Sequence, residues 1–218
     1  MGQVISAAQE KGGSGKSTLL MLLAARIIKD GAKVLIVDLD PQQTAYKWAK
    51  KSEQKHGLEL DYAQLSADTP EKILPGLDKF KETYDFVFVD TAGIESQALF
   101  FVFMKSDLVL VPTKASAPDV QGMKKTYEKA LQVIKGCSLN TPVFAVLSDI
   151  DQGTTMTQSI RKYIIDNNIP CLSKIIGHKT KIKEFLTNGG YPQGNALAEA
   201  TGLLADLQTR NLLDYYKE

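Results

Sequence analysis

Glu10-Lys11-Gly12-Gly13-Ser14-Gly15-Lys16-Ser17-Thr18 combines residue types that suit polyphosphate chemistry. Three glycines within four residues, then Lys-Ser-Thr, lie between an apolar, strand-like run at 4–8 and an apolar, helical run at 19–28. Glycines let successive backbone N–H groups curl round phosphate oxygens, and the N-terminus of the following helix adds partial positive charge. Lys16 is placed to neutralise β/γ oxygens and Ser17 to offer a hydroxyl to Mg²⁺. Gly12, Gly13, Ser14, Gly15, Lys16, Ser17 and Thr18 are therefore the expected nucleotide contacts. Lys11 is a second lysine inside the loop, where an ordinary phosphate loop needs none.

Carboxylates follow at two strand ends. In Val34-Leu-Ile-Val-Asp38-Leu-Asp40-Pro41-Gln42, Asp38 ends an apolar run and Asp40 lies two residues on, on the same side of an extended chain. A carboxylate there can hold a metal-bound water or orient an attacking one. Tyr84-Asp-Phe-Val-Phe-Val-Asp90-Thr91-Ala92-Gly93 matches the Walker B pattern, with Asp90 supporting Mg²⁺. Gly93 would let the backbone swing toward a γ-phosphate. A lone strand followed by Asp also arises where the Asp caps the next helix. Around one glycine-rich loop, Ser17, Asp38 and Asp90 read as a metal group and Asp40 as the positioner of water.

These residues need a frame. Strands are predicted at 4–8, 33–38, 86–90, 108–112 and 143–148, with weaker candidates at 58–65 and 172–176. Helices are predicted at 16–29, 42–55, 70–83, 97–105, 119–134, 155–167 and 195–215. The strand cores are nearly continuous apolar runs, as expected when helices cover both faces of a sheet. The alternation predicts a single α/β domain over residues 1–218, a doubly wound, mostly parallel sheet with ligands at the strands' carboxyl ends.

Length and charge narrow the classes. The 218 residues suit one domain, and 26 basic against 25 acidic residues give no overall nucleic-acid signal, so local clusters must supply one. No apolar run approaches the roughly 18 residues that span a bilayer. The first strand begins without a leader-like segment, and Cys137 and Cys171 lack metal-ligand spacing, so both read as ordinary thiols in a cytoplasmic protein.

At this point the chain resembles the ParA/MinD class of deviant Walker A ATPases. Lys11-Gly-Gly-Ser-Gly-Lys16-Ser17 is similar to its loop and Asp38-Leu-Asp40-Pro41-Gln42 to its second motif. Leu110-Val-Pro112 with Ala117-Pro118-Asp119 resembles the segment bordering adenine, which makes Pro112 and Pro118 base contacts. Lys179-x-Lys181 through Leu186-x-x-Gly189 resembles a C-terminal basic helix, and Asp-Pro-Gln is more like small ParA-type proteins than MinD. The resemblance implies ATP and Mg²⁺ as ligands, and Lys11, Lys16 and Asp40 as the catalytic group. Lys11 would reach across a face-to-face, ATP-bound homodimer, and hydrolysis, slow until a ParB-like or other partner stimulates it, would reopen that dimer. The cargo positioned would be a plasmid, a chromosome region or a protein assembly. Glu10, in place of the loop's usual first glycine, and His178, where many relatives have arginine, depart from the pattern.

A partition role needs a surface for non-specific DNA. Lys174, Lys179, Lys181 and Lys183 fall within ten residues without an intervening acid, and could neutralise phosphates without reading sequence, giving nucleoid association in the ATP state. Arg161 and Lys162 form a second candidate, whereas Lys47, Lys50, Lys51 and Lys55, interrupted by Glu53, read as a solvated helix face. The leucines of residues 202–213 read as a helix docked on the domain rather than a stable membrane anchor. A dethiobiotin-synthetase-like ligase would share loop and sheet but need neither Lys11 nor a basic patch. Cluster-binding relatives would need cysteines near the switch regions, and a Tyr215-Tyr216 tail is a faint echo of bacterial tyrosine kinases. Ser148-Asp149-Ile150-Asp151 lacks the Asn-Lys-x-Asp that reads guanine.

Overall fold

The computed structural model describes residues 1–66, 70–93, 97–151 and 153–213. Its strands are β1 (Gln3–Ala7), β2 (Val34–Asp38), β3 (Asp61–Gln64), β4 (Phe86–Asp90), β5 (Leu108–Thr113), β6 (Val143–Ile150) and β7 (Ile176–Gly177). Between them lie α1 (Lys16–Ile28), α2 (Thr44–His56), α3 (Ile73–Thr83), α4 (Gln97–Lys105), α5 (Ala117–Gly136), α6 (Thr155–Asp166), α7 (Thr180–Asn188) and α8 (Asn195–Thr209). The seven strands form one parallel sheet in the order β3-β2-β4-β1-β5-β6-β7.

Alternation along each strand divides the core. Ile5, Ile36, Phe86, Phe88, Leu108 and Leu110 point to the face covered by α1, α2, α7 and α8. Val4, Leu35, Val37, Val87 and Val89 meet α3 and α4, and Val109 and Val111 meet α4, α5 and α6. Ten of the thirteen residues of α1 are buried, because α8 lays Leu203, Leu204 and Leu207 over its far side. The helix behind the glycine-rich loop is thus enclosed on the sheet side and the outer side, which fixes the loop's position.

Register supplies the remaining alignment. Asp38 and Asp90 are direct partners across β2 and β4, and Ala7, near the glycine-rich loop, is the partner of Asp90 across β1 and β4. Three sequence-distant segments therefore end side by side at the carboxyl edge of the sheet.

The weaker elements differ from expectation. The 58–65 candidate forms a strand only at Asp61–Gln64, and of 172–176 only Ile176 enters β7, while Cys171 makes an isolated bridge to Ala145. The β6–β7 ladder shifts register between Ser148 and Ile150, where Asp149 has φ 57°, so little of the edge pairs. The terminal helix ends at Thr209 rather than 215, and the Tyr215-Tyr216 echo lies outside the described residues. Among the described residues no helix is long and apolar enough to cross a membrane.

Candidate nucleotide site

The back half of the loop, residues 12–18, lines one end of a cleft of about 420 Å³. Gly15 caps α1 at φ 103°, and a Cβ there would lie 2.5 Å from Ser148 Oγ, so conformation and space both demand glycine. The turn after β4 rests on the loop: a Cβ on Gly93 would sit 3.0 Å from Gly12 N. Lys16 folds back and donates to Gln9 O at 3.2 Å. Burial lowers its pKa, while Asp90 and Asp40 pull it back up. The buried Ser14 hydroxyl has no partner among the described residues.

Ser17 and Asp90 meet as the motifs require. Ser17 Oγ donates to Asp90 Oδ2 at 2.5 Å. Burial pushes the Asp90 carboxyl up to about 7 against that hydrogen bond, with Asp38 adding to the rise and Lys16 opposing it. Asp90 Oδ1 is buried without a partner among the described residues. A hydroxyl beside a carboxylate with a spare oxygen is the hard donor set that Mg²⁺ accepts alongside phosphate oxygens. The residues fit the ion.

Asp38 is used differently. Its Oδ1 accepts Asp40 N–H and its Oδ2 accepts Tyr46 N–H, both at 2.9 Å. Burial raises its pKa, and those N–H groups partly offset the rise. Asp38 thus ties the loop after β2 to the first turn of α2. Asp40, Gln42 and Thr44 line the cleft, and Asp40 Oδ1 accepts Gln42 N–H at 2.8 Å.

The front half of the loop turns the other way, onto α5. Gln9 is fully buried, and its amide donates to Pro112 O at 3.4 Å and Asp119 O at 3.2 Å and accepts from Thr126 Oγ1 at 3.2 Å. Glu10 pairs with Lys125 at 2.9 Å and Lys129 at 3.2 Å. Lys11 Nζ pairs with Asp119 Oδ2 at 2.9 Å, its side chain 44% exposed and outside the cleft lining. Burial pushes the Asp119 carboxyl up, but the Ser116 hydroxyl, Lys11 and Lys114 hold it below its ordinary value. Gln9 and Asp119 were not anticipated. The signal for Asp119 was the capping pattern Ser116-Ala-Pro-Asp119.

The two prolines expected at the base stand away from the other end of the cleft. Pro112 offers its carbonyl to Gln9 and Pro118 sits in the first turn of α5, and neither lines the cleft. The lining is instead Lys114, Ser148, Asp149, Ile176, Gly177 and, from α7 and its cap, Lys179, Ile182, Lys183 and Leu186. Ile176, Ile182 and Leu186 offer an apolar wall to a planar ring. Asp149 joins the rim together: Lys114 Nζ lies 2.8 Å from its Oδ2, the His178 ring bonds its Oδ1, and Lys183 Nζ lies 3.1 Å from His178 Nε2.

The four lysines assigned to DNA do not form one free group. Lys174 pairs with buried Glu199 at 2.7 Å, Lys181 with Glu184 at 2.7 Å, and Lys179 and Lys183 stand at the cleft. Burial pushes the Cys171 thiol up to about 11, and both cysteines are unpaired.

Comparison with known proteins agrees with this architecture. The family model described as the CobQ/CobB/MinD/ParA nucleotide binding domain matches residues 5–191. A ParA protein of Rhizobium radiobacter is 25% identical over 191 residues, covering 86% of this chain and 83% of its own. An ATP complex of McdA from Cyanothece superposes with TM-score 0.75 at 12% identity, over 100% of this chain and 99% of that one. A cobyrinic acid a,c-diamide synthase of Mycobacterium smegmatis, with ATP analogue and magnesium bound, gives TM-score 0.74 at 17% identity over 100% of each chain. At such identities the two structures speak for the fold alone. A buried P-loop lysine, a Ser17–Asp90 pair at the sheet edge and a family match over residues 5–191 lead to one conclusion: the chain belongs to the CobQ/CobB/MinD/ParA family of nucleotide-binding proteins.

Proposed function

We propose that this protein is a ParA-like ATPase whose two copies close face to face around ATP, bind duplex DNA without sequence preference, and reopen on hydrolysis to position a cargo. Lys11 carries this reading. It belongs to a phosphate loop, yet it stands outside the cleft of its own chain and half-exposed on the neighbouring surface. A lysine so placed can serve the phosphates of a second subunit, which would make dimerisation and γ-phosphate sensing one event.

The other roles follow from position. Backbone N–H groups of residues 12–18 cradle the polyphosphate, and Lys16, desolvated before ligand arrives, gains most from the added negative charge. Asp40 faces the cleft from a loop braced by Asp38 and can orient the attacking water. Ser17 and Asp90 would hold magnesium, which when bound supplies positive charge to the phosphate oxygens. The site would act in the cytoplasm, on the nucleoid in its ATP state, with a ParB-like or other partner setting the rate.

Lys11→Ala should abolish ATP-dependent dimerisation in light scattering while monomer ATP affinity changes by less than about threefold, since Lys11 lies outside the cleft lining and its ammonium pairs with Asp119. Unchanged dimerisation would remove the role in trans and, with it, the reason for preferring a switch to a ligase.

A further inference from the structure

We infer that the DNA-binding face is a composite of α2 and α7, with the α2 lysines as its main phosphate contacts, and that its shape is set by the nucleotide cleft behind it. The inference rests on the proposed DNA-binding function and locates it.

Lys47, Lys50, Lys51 and Lys55 follow i, i+3, i+4, i+8 spacing and so share one side of α2. Ala45, Trp48, Ala49 and Ser52 occupy the buried side. The basic side borders α7. Trp48 Nε1 donates to Phe185 O at 3.3 Å, with the two rings 5.2 Å apart, and Lys51 Nζ donates to Thr187 O at 2.8 Å. Ser52 Oγ accepts Gly190 N–H at 2.9 Å. Gly189 and Gly190, at φ 80° and 81°, allow this approach, since a Cβ on either would meet Ser52 or His56 within 3 Å. Lys181, paired with Glu184, is exposed on α7 beside this seam, so a basic residue far away in sequence adjoins the α2 stretch, while Lys183 stands on the cleft side of α7.

The chemistry of that surface fits a duplex backbone. Lys50 and Lys55 are exposed and have no ion-pair partner among the described residues. From Lys47 to Lys55 the helix rises about 12 Å, the axial run of three to four nucleotides of one strand. Trp48 is buried, so α2 offers no indole on which unpaired bases could stack, and the exposed ring beside Lys181 is that of Tyr191. The exposed α2 positions 47, 50, 53, 54 and 55 are all polar, which gives a membrane nothing apolar to take up.

Both helices are also cleft walls. Thr44 opens α2 from within the cleft, Tyr46 N–H is held by Asp38, and Ile182, Lys183 and Leu186 of α7 line the opposite wall. A ligand filling the cleft on one side therefore fixes the spacing of the lysines on the other.

The test is a Lys50→Gln/Lys55→Gln double variant of the full chain, since neither residue touches the cleft. ATP affinity and ATP-dependent dimerisation should match wild type. Affinity for random-sequence duplex in ATP should fall roughly tenfold, and the slope of log K against log salt should shrink by about 1.8 per face. Equal affinity and slope for the variant would overturn the composite face while leaving DNA binding intact. Failure of wild type to bind duplex in ATP would instead remove the DNA reading and this face with it. Capture of wild type by phosphatidylserine vesicles but not by duplex would do the same.

Discussion

The two halves of the glycine-rich loop are neighbours in sequence and opposites in structure. Residues 12–18 curve round the cleft and are welded through Ser17 to a buried carboxylate of the central sheet. Residues 9–11 are stitched to α5 by a buried amide, a carboxylate shared by two lysines and an ion pair between half-exposed Lys11 and buried Asp119. The back half places a buried serine and a buried lysine behind two exposed glycines, suited to binding; the front half runs from a fully buried glutamine to a half-exposed lysine. The Lys11–Asp119 pair joins a half-exposed lysine to a buried carboxylate, so a phosphate that takes the lysine leaves that carboxylate to Ser116 and Lys114. One loop thus carries an anchor and, in the proposed dimer, an arm that reaches outward.

Substitutions can break that division. Lys16→Ala should have the largest effect, weakening monomer ATP binding about 100-fold by calorimetry, because a buried charge-assisted contact is lost. A change of only a few-fold would place the anchor elsewhere. Asp90→Asn comes next. The ionised carboxylate is the metal-binding form and its pKa is about 7, so magnesium-dependent nucleotide binding should strengthen in wild type from pH 6 to 8 and stay weak and flat in the variant. Because the folded pKa lies above the unfolded value, the stability that neutral Asp90 contributes is full below about pH 4 and lost as pH rises to about 7. The ligand-free Asn variant should therefore be more stable than wild type at pH 8 by on the order of 1–4 kcal/mol, with no difference in acid; equal melting at pH 8 would contradict the burial argument. The smallest effect belongs to the arm. Asp119→Asn removes the charge that holds Lys11 and should tighten the proposed ATP dimer about threefold while monomer ATP affinity holds. A weaker dimer would mean that Asp119 aims the lysine instead of detaining it.

The back half was legible because its chemistry is written in contiguous residue types: glycines, a lysine and a hydroxyl between a strand and a helix. Asp90 was legible for the same reason, as the end of an apolar run, and so was the parallel sheet. What lay hidden depends on packing between distant segments. The two prolines expected at the base lie outside the cleft lining, where Ile176, Ile182 and Leu186 stand, and α7 came from resemblance and not from periodicity. Lys174 looked like a free cation because Glu199, its partner, lies 25 positions on, in α8. The α2 lysines are exposed as the solvated-face reading expects, and nothing in their own stretch announces that α7 lies alongside. Asp38 reads as a metal ligand in sequence, and the structure adds that each of its oxygens accepts a backbone N–H.

The pairing of Asp38 with Asp90, and of Asp90 with Ala7, has a bearing on how the chain folds and survives. The acidic floor of the cleft exists only once β1, β2 and β4 have closed on one another, contacts that span up to 83 positions of sequence and so form slowly. A nucleotide has little to hold in a chain that has not assembled them. ATP at 100 times its dissociation constant would then favour the folded state by about 2.7 kcal/mol, drawn from the central sheet itself. In a cell, the fuel would also be a folding ligand, and a depleted cell would lose protein as well as activity.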